Sequence, residues 1–399
     1  MVTTAEKMRA WEGPALLTYG FRPFFLGAGL WALLSMGAWL AILGGGLDLP
    51  TAFDLVSWHA HAFLFGYLGA VLAGFLLTAV PNWTGRLPIV GWPLGGLVAL
   101  WLAGRIAVTV SALIPSITVA LTDLAFPLVL AAVLAREIIA GKNWRNLMTL
   151  AILLVFALGN GLFHWEAMQG GYPANGIGLR IALGAAIMMI GVIGGRVVPS
   201  FTRNWLVRRG ATRLPVPPMQ HFDKLSLLVL ALALLLWVGW PASPWTGLAL
   251  MVAGLAHAVR LSRWQGVQTA AEPLVWVLHA GYGFLPAGAL AMGGCIIWTA
   301  PFAMAVAQHL WMAGAIGIMT LAIMTRATLG HTGRPLAATR PTLLIYLSII
   351  LSVLARLAAG LAPAHAGPLH LVAGIGWLGA FGIFTLAYGR LHLTHRKGS

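Results

Sequence analysis

The chain has 399 residues, 60% hydrophobic and 8% charged, whereas an ordinary soluble domain carries about 25% charged residues. That balance excludes a molecule whose surface is solvated mainly by water. The net charge of +15 raises nucleic acid as a partner, but the placement of the basic residues argues against it and for the lipid bilayer.

A helix crosses the bilayer core with about 20 mainly apolar residues. Runs of that kind, broken by Pro, Gly or charge, predict about twelve transmembrane helices over 24–44, 56–80, 91–113, 116–140, 146–167, 177–199, 223–241, 245–262, 273–297, 301–326, 341–362 and 367–390. The connections are short, so successive helices should be antiparallel, and residues 1–399 form a single polytopic membrane domain. The first run is too long for a signal-peptide core and should remain as helix 1. All but three of the 24 Lys and Arg fall in the tails, in the loops after helices 2, 4, 6, 8 and 10, or in the helix ends beside them. Arg86, Lys142, Arg203, Arg263, Arg334, Arg396 and Lys397 are examples. This is the positive-inside asymmetry, and it puts both termini in the cytoplasm.

Taken along the chain, the polar residues inside the helices carry the functional signal. His59 and His61 open helix 2. Arg105 on helix 3 and Asp123 on helix 4 both lie about 10–12 Å deep from the outer side at 1.5 Å per residue. They should pair, because an intramembrane charge needs a partner; the pair either ties two helices together or serves a site. His164 closes helix 5, with Glu166 two residues on as a ligand, an orienting group, a proton acceptor or a helix-end charge meeting water. Arg180 on helix 6 and Arg356 on helix 11 have no evident carboxylate, which suits either an anionic ligand such as heme propionates or snorkelling to the interface. His279 with Tyr282 on helix 9, and His331 in the loop after helix 10, lie toward the cytoplasm. These three would serve a second heme, a quinol or packing. His309 lies in the outer half of helix 10.

The inner ends of helices 2, 6 and 10 read Val80-Pro81-Asn82-Trp83-Thr84-Gly85-Arg86, Val198-Pro199-Ser200-Phe201-Thr202-Arg203-Asn204 and Leu329-Gly330-His331-Thr332-Gly333-Arg334. Thr84 follows His61 by 23 residues, as Thr332 follows His309, and Gly66 and Gly314 each stand five residues after their histidine. Helix 6 keeps the glycine as Gly184 but has Leu179 at the histidine position. The simplest reading is a pseudo-threefold array of three four-helix units, with His61 and His309 equivalent and facing one another across a flat ligand.

Neutral imidazole is the commonest metal and heme ligand. Cys295, the single cysteine, excludes a thiolate cluster and covalent heme attachment, so any heme b is held noncovalently. Residues two apart on a helix point about 200° apart, so His59 and His61 should serve different centres. We expect His61 and His309 on heme, and His59 with His164 on a second metal. Copper suits imidazoles, although zinc and nonheme iron stay open on these residues.

The strings Trp58-His59-Ala60-His61-Ala62-Phe63-Leu64-Phe65-Gly66, Gly74-Phe75-Leu76-Leu77-Thr78-Ala79-Val80-Pro81-Asn82-Trp83-Thr84-Gly85, Gly195-Arg196-Val197-Val198-Pro199-Ser200-Phe201-Thr202-Arg203-Asn204 and Gly330-His331-Thr332-Gly333-Arg334 resemble the NnrS family over nearly the whole chain. The resemblance implies a multi-pass protein of the bacterial inner membrane that contains heme and copper and acts in nitric oxide metabolism and nitrosative-stress resistance. It also implies His59, His61, His164, His279, His309 and His331 as the family's histidine positions. Ala62 departs from the family pattern, which often has glutamate there, so any role of that carboxylate is absent here or supplied elsewhere. The arrangement is also similar in architecture to the catalytic subunit of heme-copper oxidases, but the adjacent histidine pair of their copper site is missing, and fold alone does not carry function.

Three classes follow. The first is an oxidoreductase acting on nitric oxide or a related small molecule, fed by a quinol or another donor. The second is a non-catalytic heme or metal sensor or cofactor handler. The third is a transporter, which predicts broken helices and a midplane cavity and fits the one-sided histidines least.

Overall fold

The computed structural model describes residues 11–85 and 89–395; Arg86, Arg396 and Lys397, cited above for the charge asymmetry, lie outside them. Regular structure among the described residues is helical throughout. Twelve helices are long and apolar enough to cross a membrane: α1 Phe21–Leu43, α2 Leu55–Val80, α3 Trp92–Thr109, α4 Ser116–Ala140, α5 Trp144–Met168, α6 Ile177–Arg208, α7 His221–Gly239, α8 Pro244–Ser262, α9 Pro273–Ile297, α10 Met304–His331, α11 Arg340–Leu361 and α12 Pro363–Leu393. Helices are the expected answer, since a backbone in hydrocarbon must satisfy its N–H and C=O groups internally. The chain is a multi-pass membrane protein, as its hydropathy predicts.

Two helix ends differ from the sequence reading. α6 continues past residue 199 to Arg208, and α10 past residue 326 to His331, so His331 ends a helix where a loop was expected. Residues 200–208 are polar and basic, and residues 327–331 read Ala-Thr-Leu-Gly-His, so neither continues the apolar run before it.

The chain divides into two compact units. The first comprises Met1–Ala182, Ala327–Pro335 and Phe381–Ser399, and the second Leu183–Arg326 and Leu336–Ala380. In the first unit the start of α1 is fastened to the end of α12. Arg22, buried near the start of α1, donates from Nη1 to the carbonyl oxygens of Leu391 (3.2 Å), His392 (3.1 Å) and Thr394 (2.7 Å) at the end of α12. A cation there complements the negative end of the α12 dipole.

Each of α2, α6 and α10 contains a π-helical turn, at Ala62–Tyr67, Ile190–Gly194 and Leu310–Ile318 respectively. In α2 and α10 the turn begins at the residue after His61 and His309, which matches the repeat read from the sequence to the residue; in α6 it falls farther along. A π turn widens the helix and releases backbone carbonyls from the regular ladder. In the first unit such carbonyls are taken up by tryptophans: Trp31 Nε1 donates to Ala62 O at 2.8 Å and Trp101 Nε1 to Gly66 O at 3.0 Å.

Candidate metal centre

α2 begins on Asp54, whose carboxylate accepts the backbone N–H of Ser57 at 2.9 Å, a regular helix N-cap. Two turns later His61 is fully buried and points toward α4 and α5. Its Nε2 lies 3.0 Å from Asp123 Oδ2 and 3.1 Å from Asn160 Oδ1. His164 Nε2 reaches the same Asp123 oxygen at 3.0 Å, and Asn160 Nδ2 donates to it at 2.8 Å. Arg105 from α3 donates from Nη2 to the other oxygen, Oδ1. The ion pair expected between helices 3 and 4 is therefore present, and two imidazoles join it.

Local sequence explains why these groups meet. Asn160 and His164 are four apart on α5 and so share one helix face. Gly104 lets α3 approach α4: a Cβ there would lie 2.7 Å from Asp123 Oδ1 and 3.1 Å from its Cα. Pro127 lies inside α4, four residues after Asp123, where it has no N–H for the Asp123 carbonyl and bends the helix. The aromatic rings of Phe53, Phe65 and Phe163 surround the imidazoles, with centroids 5.8, 4.9 and 5.5 Å from that of His61. Asp123, Arg105, Asn160 and His164 are all buried.

His61, Asp123 and His164 each offer one ligand atom, and these atoms all lie within 4.8 Å of one another. Two imidazole nitrogens and one carboxylate oxygen converging in a buried pocket suit a first-row transition metal or zinc. Among the described residues His61 Nδ1 has no hydrogen-bond partner, so the polar contacts that place that ring are all on its Nε2 side. Arg105 holds Oδ1 and thereby presents Oδ2 to the imidazoles, the usual way in which an outer group orients a ligating carboxylate.

The other residues singled out in the sequence are distributed differently. The expected pairing of His59 with His164 is replaced by that of His61 with His164. His59 turns the opposite way, stacking on Trp39 with ring centroids 4.3 Å apart. Glu166 lies outside the group of converging ligand atoms. Its carboxylate accepts the N–H groups of Ile177 (2.6 Å) and Gly178 (3.4 Å) and so caps the start of α6, where negative charge is favoured. Arg180 donates to Asn175 O at 2.8 Å. His331 belongs to the first unit and packs near Tyr19 and Phe21, at centroid distances of 6.1 and 5.5 Å. In the second unit, His279 Nε2 lies 2.8 Å from Thr202 Oγ1, and His309 Nδ1 lies 2.7 Å from Ala305 O within electrostatic range of Arg356 and His370.

The sequence reading missed two features. Asn160 was detectable, standing one turn before His164. The other is a second buried ion pair, in which Arg260 of α8 donates from Nε to Asp223 Oδ1 of α7 at 2.7 Å. Arg260 Nη1 also donates to Gly191 O in the π turn of α6 (2.8 Å) and to Tyr282 Oη (3.0 Å). Tyr282 Oη lies 2.8 Å from His257 Nδ1, and His257 Nε2 lies 3.2 Å from Ser226 O. Asp223 stands at the start of α7 and Arg260 near the end of α8, where the sequence alone presents them as ordinary interfacial charges.

A family model described as NnrS protein matches residues 15–396. No curated protein matches the chain.

Proposed function

Since the chain belongs to the NnrS family, a family of nitric oxide-related heme and metal proteins of the membrane, we propose that it is an oxidoreductase of the bacterial inner membrane. It would act on nitric oxide or a derived small molecule, with a metal ion held by His61, His164 and Asp123. The observation that carries this reading is the convergence of both Nε2 atoms on Asp123 Oδ2, each at 3.0 Å. Arg105 and Asn160 already give each carboxylate oxygen a donor, so a purely structural role would not need the two imidazoles.

The donor set fits copper, nonheme iron or zinc; copper or iron held there would supply one-electron chemistry to a small ligand. The chain's own contribution is positioning and dryness. Arg105 and Asn160 fix the carboxylate, while Phe53, Phe65 and Phe163 exclude water, which strengthens every electrostatic interaction inside the pocket. With His61 committed to this centre, we assign the expected heme b to the second unit, where His309 would hold its iron and Arg356 would face a propionate. A quinol or another donor would supply electrons.

The test is metal analysis and optical spectroscopy of full-length protein purified from its native host. Wild type should carry one non-heme metal per chain. His61→Ala, His164→Ala and Asp123→Asn should each lose it while keeping the Soret band, and His309→Ala should lose the Soret band while keeping the metal. Stoichiometric metal retained in all three centre variants would reduce the group to a tie between helices. Cofactors present without consumption of nitric oxide from a quinol donor would favour a cofactor handler.

A further inference from the structure

Among the described residues, the buried arginines are Arg22, Arg105, Arg260 and Arg326. The first three meet acceptors that offset the charge: Arg22 the carbonyls ending α12, Arg105 the carboxylate of Asp123, and Arg260 that of Asp223. Arg326 of α10 is only 7% exposed, yet it makes no hydrogen bond and no ion pair to any described residue. What it has is an aromatic ring, Phe201 of α6, with its Cζ 4.1 Å from the centroid. The ring attracts the cation, but it supplies neither a counter-charge nor an oxygen for the five N–H donors of the guanidinium. Those donors remain reachable: unlike Arg105 Nη1 and Arg260 Nη2, none of the Arg326 nitrogens is sealed in without a partner.

The charged groups within electrostatic range of Arg326 are Arg208, exposed at the end of α6, and Glu272, just before α9. Glu272 Oε1 accepts the N–H of Leu274 at 3.3 Å and so caps α9. Tyr346, also in range, is turned to Thr325, with its Oη 2.7 Å from Oγ1. Two guanidinium groups thus face one carboxylate, and a positive charge is left over. All of these residues belong to the second unit. We infer that Arg326 and Arg208 form a binding site for a phosphate oxyanion, presented by a lipid headgroup or arriving as a free phosphate ion. Charge selects an anion, because a buried cation is costly without one. The guanidinium fork selects an oxyanion, whose adjacent oxygens it can bind bidentately. Position selects phosphate: Arg326 stands five residues before the end of α10, about 8 Å at 1.5 Å per residue. That is the polar boundary of the bundle, where basic pockets between helices take lipid phosphates. The site shares no residue with the metal centre and stands apart from that reading.

The test titrates full-length, delipidated protein in detergent with phosphatidylglycerol, with diacylglycerol of the same tails, and with inorganic phosphate, following thermal unfolding. Anything that binds the folded state raises the unfolding temperature. Phosphatidylglycerol should do so and diacylglycerol should not. Arg326→Met should weaken the phospholipid more than about tenfold, as loss of a charge-assisted hydrogen bond does, and Arg208→Gln by a smaller factor. Without lipid, Arg326→Met should fold at least as well as wild type, since it removes a buried charge that has no partner in the protein. Its metal content should be unchanged. Stabilisation by inorganic phosphate that disappears in Arg326→Met assigns the site to the free ion as well, and its absence assigns the site to lipid alone. The inference is overturned if neither phosphate-bearing probe stabilises more than diacylglycerol. It is equally overturned if their effect persists unchanged in both variants, which would leave Arg326 solvated by water and held by Phe201 alone.

Discussion

In the first unit Arg105 and Asp123 are buried beside a π turn of α2, and an intrahelical proline, Pro127, follows Asp123 by one turn. In the second, Arg260 and Asp223 are buried beside a π turn of α6, and Pro286 follows their partner Tyr282 by one turn. The parts are the same, and the difference lies in where the imidazole nitrogens are spent. His61 and His164 both turn Nε2 to one carboxylate oxygen. His257 uses one nitrogen on Tyr282 Oη and the other on Ser226 O. Asp223 likewise has Oδ1 on Arg260 and Oδ2 accepting the N–H of Gln220 at 3.0 Å, which caps α7. A buried ion pair is thus not by itself a site; two imidazole nitrogens brought to one carboxylate oxygen are what separate the two.

Breaking the second pair should give the largest effect on stability and none on metal. Asp223→Ala leaves Arg260 buried without its counter-charge, a change that typically costs about 3–5 kcal/mol. Thermal unfolding in detergent should show that loss, with metal content per folded chain unchanged. Asp223→Ala combined with Arg260→Met removes both charges and should recover most of the stability, because apolar replacement of a buried pair is often neutral. Loss of metal from folded Asp223→Ala protein would erase the contrast between the two groups.

Asn160 sharpens the comparison from the other side. It touches Asp123 and His61 without being one of the converging ligands, so Asn160→Ala should weaken metal binding by about 10- to 100-fold, as loss of an outer-shell partner does. Competition with a chelator of known affinity measures this directly. An unchanged affinity would mean that Asn160 only fills space between α4 and α5.

These residues also mark how much the sequence could reveal. The depth of Arg105 and Asp123 follows from counting turns, and their pairing follows from the cost of a lone charge in lipid. The opposition of His59 and His61 follows from helical geometry, but which one faces inward does not. That depends on Trp39 and Phe53, which come from other segments and supply a stacking surface on one side and an aromatic wall on the other. Asp123 is readable as a counter-ion yet not as a ligand, since its second oxygen meets His164 only once α4 and α5 are packed. The Asp223–Arg260 pair is hidden because basic residues at helix ends fit the topology rule whether or not they are buried.

The smallest expected effect falls on Glu166, which stands two residues from a proposed ligand and would be an easy choice as another. Its carboxylate instead accepts the free N–H groups at the start of α6. Glu166→Gln keeps an acceptor there and removes the charge, so the loss should be that of a charge–dipole interaction at a helix end, about 0.3–1 kcal/mol. Metal affinity should not change, because the His164 ring is oriented by Asp123 and the aromatic wall and has no contact with Glu166 in its hydrogen bonding. A fall in metal affinity comparable to that of Asn160→Ala would show that the carboxylate leaves its cap when the ion binds, and would add a fourth protein ligand to the centre.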